Sequence, residues 1–321
     1  MMMIHRILCP VDFSEASRRA LQYAFAVARW HEAEVTVVHV EDVLLHAATV
    51  EAGGHPDMVE RQYQALNDFI EEAGGTSRNV RLHIASGRVV SGILEHATRD
   101  ASDLIVMGTN GRSGLARAVL GSVTEGVVRQ AAIPVLTIPP LADVRPFELM
   151  PFDPILCASD FSPACRSALD LSIVMGQEAD ARLILLHALQ PPHVNQGSLP
   201  LPASARIEVA EARKDALARL RHALPSDAVF RCRPEAIVVE GRPADAILET
   251  AYREDVRLIV MGVQARGAVD RLLFGSTTRR VMQAALCPVL SIRAGQDAKP
   301  WPAPAAAQRQ NDVLENWPML T

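Results

Sequence analysis

The chain has 321 residues, 49% of them hydrophobic and 21% charged, with a formal net charge of −5. That balance describes a globular protein long enough for two domains, each with its own core. A net acidic surface repels polyanions and anionic lipid, which argues against nucleic acid or a membrane as partner, and no apolar run approaches the roughly 20 residues that span a bilayer.

Met1 to Arg6 lead directly into a strand-like segment, with neither an apolar signal region nor a small-residue cleavage site, so a cytoplasmic location is expected. The first half then alternates two periodicities. Residues 6–11, 34–40, 80–85, 103–107 and 133–138 are short runs of strand length, rich in valine and isoleucine. An unbroken apolar run such as LIVM at 104–107 suits a strand covered on both faces of a parallel sheet. Between the strands, 14–31, 56–72, 89–100 and 122–131 carry helical spacing. In the first helix Ala16, Ala20, Leu21, Ala24, Phe25, Val27 and Ala28 gather on one side, with Arg18, Arg19 and Gln22 outside. Ser14 is a natural N-cap, and its counterpart Ser162 precedes Pro163 at the favoured first helical position.

The second half repeats the first. ILCPVDFSEASRRAL from Ile7 returns as ILCASDFSPACRSAL from Ile155, an offset of 148, and His39 returns as His187. LIVMG at 104–108, Gly121-Ser122 and IPVLTI at 133–138 return at an offset of 154, so the second copy carries six extra residues in the loop and helix after its second strand. A period near 150 residues means a duplicated domain rather than a solenoid. The expected organisation is a first repeat over 1–140, a proline-rich linker over 141–153, a second repeat over 154–293 and an Ala/Pro/Gln-rich mobile tail over 294–321. Strand–helix alternation predicts right-handed crossovers and an α/β fold of two doubly wound parallel sheets, which bind ligands beyond the strand ends where strand order reverses.

At those ends the first strand closes in Pro10-Val11-Asp12 and the fourth in Met107-Gly108, followed by a G-x2-G-x9-G-S spacing at Gly108, Gly111, Gly121 and Ser122. Glycine permits positive φ and a close backbone approach, and a helix opening at Gly121-Ser122 presents unpaired amides to an anion. The Ser122 hydroxyl and the Arg112 guanidinium add to a phosphate cradle, while Asp12 faces it across the switch point, placed for ribose or adenine.

This order of motifs, PVDFS, LIVMG, G-x2-G-x9-G-S and PVL, resembles the universal stress protein family over about nine-tenths of the chain. The resemblance implies an adenine-nucleotide alpha-hydrolase-like fold in each repeat, and ATP, with or without Mg²⁺, as the ligand. It implies nucleotide contacts at Val11, Asp12, Val40, Met107, Gly108, Gly111, Gly121, Ser122 and Val123. The corresponding positions of the second repeat are Ser159, Asp160, Ala188, Met261, Gly262, Ala265, Gly275, Ser276 and Thr277. There Ala265 stands at the second glycine of the motif and Ala158-Ser159 replaces Pro-Val, so weaker binding is expected.

P-loop and NAD-type glycine patterns are absent, as is a nucleophile elbow. No base to orient water is evident, so the expected role is a stress-response sensor or regulator rather than an efficient enzyme. Slow ATP hydrolysis or autophosphorylation at Ser122, and a nucleotide-free scaffold for a protein partner, are the alternatives. His39 and His187 are expected to be packed, hydrogen-bonded residues. The five cysteines, Cys9, Cys157, Cys165, Cys232 and Cys287, have no metal-ligand spacing, and neither metal nor catalytic residues are assigned. Segments 133–138 and 287–292 are expected to pair within one chain as an internal pseudo-dimer, an arrangement compatible with a homodimer of tandem units.

Overall fold

The computed structural model describes residues 4–41, 57–75, 80–111, 120–142, 152–190, 203–224, 232–263 and 275–293. They fall into two compact units, one of Met3–Met150 with Val263–Lys299 and the other of Pro151–Gly262. Most of the linker, and all of the tail inferred above, lie outside the described residues.

The first unit alternates β1 (Arg6–Pro10), α1 (Glu15–His31), β2 (Glu34–Glu41), α2 (Asp57–Glu72), β3 (Val80–Ser86), α3 (Val89–Arg99), β4 (Leu104–Gly108), α4 (Ser122–Gln130) and β5 (Val135–Ile138). The second contains β6 (Ile155–Ala158), α5 (Pro163–Ala179), β7 (Arg182–Leu189), α6 (Ala203–Ala223), β8 (Arg233–Glu240), α7 (Pro243–Arg253) and β9 (Leu258–Val263). The chain then adds α8 (Ser276–Ala284) and β10 (Val289–Arg293) to the first unit.

In the first unit the strand order is β3-β2-β1-β4-β5-β10, parallel except that β10 runs antiparallel to β5. The second orders its strands β9-β6-β7-β8, all parallel. In the first unit the order reverses between β1 and β4, which opens a crevice beyond their carboxyl ends. The core strands β4 and β6 are buried along their whole length, as their unbroken apolar runs require.

Helix α1 buries an alanine-rich face, including Ala20, Ala24 and Ala26, with Leu21, Tyr23 and Phe25. Small residues there let the helix come close to β4. A Cβ on Gly108 would stand 2.8 Å from the carbonyl carbon of Ala16, and one on Gly262 would stand 2.3 Å from that of Ala164. Ser14 and Ser162 cap α1 and α5 as expected, each accepting from the amide three residues on.

The two fifth strands meet about a local twofold axis. Leu136 lies opposite Leu290, its own counterpart at the offset of 154, flanked by Thr137 opposite Val289 and Val135 opposite Ser291. Thr137 Oγ1 donates to Val289 O at 3.0 Å and Ser291 Oγ donates to Val135 O at 3.1 Å, a reciprocal pair.

Candidate functional site

Beyond β1 and β4 lies a cavity of about 870 Å³. Its walls contain Val11, Asp12, Val40, Met107, Gly108, Gly111, Gly121, Ser122 and Val123, the nine first-repeat residues that the resemblance implies. Arg112 lies outside the described residues.

The carboxyl end of β1 is held in place by its neighbours. Val11 N donates to Val38 O at 2.9 Å, and its carbonyl oxygen lies 2.8 Å from His39 Nδ1. A carbonyl only accepts, so Nδ1 carries the proton and His39 serves as a positioning residue, as its sequence context suggested. Ser14 donates from both its amide, at 3.1 Å, and its hydroxyl to Asp12 Oδ1, fixing the carboxylate at the cavity wall. Between them Phe13 adopts a left-handed φ of 62°, as does Phe161 with 61°. For a bulky residue that conformation costs about 1–2 kcal/mol. In the first repeat it is supported by edge contacts of the ring with His39 at 4.8 Å and Phe69 at 5.5 Å. Strain of this kind gathers where a chain must aim side chains at a ligand.

The glycines act through space rather than through φ. Of the two uses of glycine, positive φ and close approach, Gly111 serves the second: among the described glycines only Gly74, Gly87 and Gly241 have positive φ. Gly111 lies so close to Asp12 that a Cβ would stand 2.8 Å from Oδ2. Gly121 is the N-cap of α4, with no side chain closing the helix end. Its amide donates to Thr109 O at 2.8 Å, and Thr124 Oγ1 donates to Gly108 O at 2.9 Å, tying the helix opening to the end of β4. The next first-turn amides have no partner within the helix and stand at the positive end of its dipole. Ser122 is exposed beside them.

Sequence motifs missed the opposite wall. Phe13, Arg61, Gln62, Ala65, Val89 and Ile93 also line the cavity. Gln62 Nε2 donates to Glu41 Oε1, joining α2 to the end of β2. Val89 and Ile93 lie four apart on α3, a one-turn repeat that was the available signal for a shared face.

In the second repeat the expected residues are distributed differently. Ser159 and Phe161 line a separate cavity of about 740 Å³ between α5 and α6, whose lining includes Cys165, Leu169 and Arg219 but not Asp160, Ala188, Met261 or Gly262. The guanidinium carbon of Arg219 stands 3.8 Å from the centre of the Phe161 ring. Asp160 Oδ1 accepts from Ser162 N at 2.9 Å and from Cys165 Sγ at 2.9 Å. Burial opposes ionisation of Asp160, but these hydrogen bonds outweigh it and hold the carboxyl below the usual aspartate range. Burial first, and then the bond to Asp160, push the Cys165 thiol up to about 11. His187 Nδ1 lies 2.8 Å from Ser159 O, repeating the role of His39. Gly275, Ser276 and Thr277 open α8, again without a side-chain cap, and Ala265 lies outside the described residues.

Among the described residues no helix is long and apolar enough to cross a membrane. All five cysteines are buried and none forms a disulfide. Burial pushes the thiols of Cys9 and Cys157 up, that of Cys157 to about 12.

The model of the Universal stress protein family matches the chain twice, over residues 3–139 and 151–293. A universal stress protein of Thermus aquaticus is 35% identical over 145 residues, covering 44% of this chain and 99% of that protein. One from Mycobacterium tuberculosis is 28% identical over 301 residues, covering 90% of this chain and 97% of its own length. In fold, the chain resembles the crystal structure of a universal stress protein from Archaeoglobus fulgidus, with a TM-score of 0.61 at 22% identity, covering 90% of this chain and 98% of that one.

Proposed function

The chain belongs to the universal stress protein family, as a two-repeat member, and we propose that its first repeat binds an adenine nucleotide, ATP foremost, as a cytoplasmic stress-response sensor or regulator. The observation that carries this reading is the meeting of three features in one cavity: the oriented carboxylate of Asp12, the glycine turn beside it and the uncapped amino end of α4. Each suits a different part of one ligand. The α4 amides and the Ser122 hydroxyl would hold phosphate oxygens. Asp12 accepts hydrogen bonds and would take the ribose hydroxyls, and Gly111 leaves room against its Oδ2 that any side chain would fill. Val11, Val40, Val89 and Ile93 supply apolar wall for a flat base. Mg²⁺ would accompany the triphosphate as its counter-ion.

The second repeat keeps Asp160 but engages it with Cys165, and Arg219 stands on Phe161. We therefore assign the nucleotide to the first repeat. Pairing of β5 with β10 supports an internal pseudo-dimer, since the edge of β5 is covered from within the chain.

The test is equilibrium dialysis of the whole chain against labelled ATP and GTP. Saturable ATP binding, weakened at least about tenfold by Asp12→Ala and not matched by GTP, is the expected result. Phosphate release that disappears in Gly121→Ala would move the protein to the enzymes. Absence of any nucleotide binding at millimolar ATP would leave a scaffold.

A further inference from the structure

Helix α4 carries an acid where an anion site needs none. Glu125 lies in its first turn, one turn beyond Ser122, and its side chain is 19% exposed. A carboxylate there suits the bare helix dipole but opposes a phosphate held on the same amides. The opposing charge is met from the second repeat: Arg279 Nη2 of α8 donates to Glu125 Oε2. The two positions are counterparts at the offset of 154, facing each other across the twofold axis of β5 and β10. A copy of the first repeat placed there would bring a second glutamate to Glu125, and only the second repeat brings an arginine. At the other end of α4, Arg293 Nη1 donates to Arg129 O and Gln130 O at 3.2 Å; its own counterpart in the first repeat is Pro139. Both contacts run from second-repeat arginines to first-repeat acceptors.

We propose that Arg279 is a positioning residue for the first-repeat nucleotide site: by holding and neutralising Glu125 it keeps the amino end of α4 receptive to phosphate, so the second repeat completes the site of the first. This rests on the nucleotide reading above. Its reach is the phosphate end of the ligand alone, because the base and ribose walls come from the segment after β1, from β2 and α3, and from the turn after β4. Loss of the arginine alone therefore weakens ATP, loss of both charges does not, and a ligand without phosphate responds to neither.

The experiment is a double-mutant cycle on the whole chain with Glu125→Gln, Arg279→Gln and the double variant, titrated with ATP and with adenosine. The expected result is a loss of ATP affinity of about three- to tenfold in Arg279→Gln, a return to within about twofold of wild type in the double variant, and unchanged adenosine affinity throughout. Equal loss of ATP and adenosine, or a double variant as weak as Arg279→Gln, would mean a merely structural role and overturn the proposal. ATP affinity unchanged in Arg279→Gln would overturn it too. Wild-type protein that binds neither ligand would instead remove the nucleotide reading on which it rests, and the proposal with it. Should Arg279→Gln fold poorly, Arg279→Lys keeps the charge and is expected to bind ATP within about threefold of wild type; a tenfold loss there would count against neutralisation as the cause.

Discussion

Gly111 and Asp12 are the most sensitive residues of the site, because they occupy one small volume between them. With a Cβ only 2.8 Å from Oδ2, Gly111→Ala is expected to displace the Asp12 carboxylate and to weaken ATP by at least about tenfold in a binding titration, while leaving the unfolding midpoint nearly unchanged. Gly108→Ala should do the reverse damage as well, since its Cβ would meet the Ala16 backbone, which cannot swing aside. A loss of about 1–3 kcal/mol in urea unfolding is expected. Asp12, the glycines and Ser122 were legible in sequence because they fall in two short motifs with fixed spacing, each read relative to a strand end. The reason for Gly111 was not legible, since a glycine kept for the approach of a side chain ninety-nine positions earlier looks the same as one kept for positive φ. Nor were Phe13, Arg61 or Gln62, which reach the cavity through tertiary packing. The left-handed φ at Phe13 violates the preference that sequence reading relies on.

At the scale of elements, strand and helix positions followed from hydrophobic periodicity, and the structured segments agree with them to within one or two residues. The shared offset also located β10 as the partner of β5, because an uncovered fifth strand leaves a row of unpaired backbone groups. What periodicity could not show is how the second repeat braces its sheet. Arg182 on β7 donates from Nε to Glu235 at 2.7 Å and from Nη2 to Glu254 at 2.8 Å, linking β7, β8 and α7. Hydrogen bonds from Arg182 first, and then Arg253, hold the Glu254 carboxyl below the usual glutamate range despite burial. A carboxyl with a depressed pKa adds stability above its unfolded value and loses that share as pH falls through its folded value. Arg182→Gln should therefore cost about 1–3 kcal/mol at neutral pH. The difference from wild type should shrink as pH falls below the usual glutamate range towards the lowered folded value of Glu254. Urea melts at pH 7 and pH 3.5 read this directly, and an equal cost at both would show that the arginine acts by packing alone.

For the whole molecule, the two repeats differ at the positions that the proposed site uses. The first repeat keeps the glycine turn and an Asp12 oriented by serine, whereas the second binds its Asp160 to Cys165. The cysteines belong to the packing of both: native protein is expected to resist thiol labelling until it unfolds, since all five are buried. The second repeat contributes to function through the arginine that it sets against α4. One nucleotide is therefore expected on each chain. The measurement that tests this most directly is denaturation of the purified protein, followed by mass-spectrometric identification and counting of the nucleotide released from wild type, Asp12→Ala and Asp160→Ala. About one equivalent of ATP or ADP from wild type and Asp160→Ala, and little from Asp12→Ala, is the predicted result. Nucleotide lost in Asp160→Ala but kept in Asp12→Ala, or none from any of the three even after incubation with millimolar ATP, would contradict it.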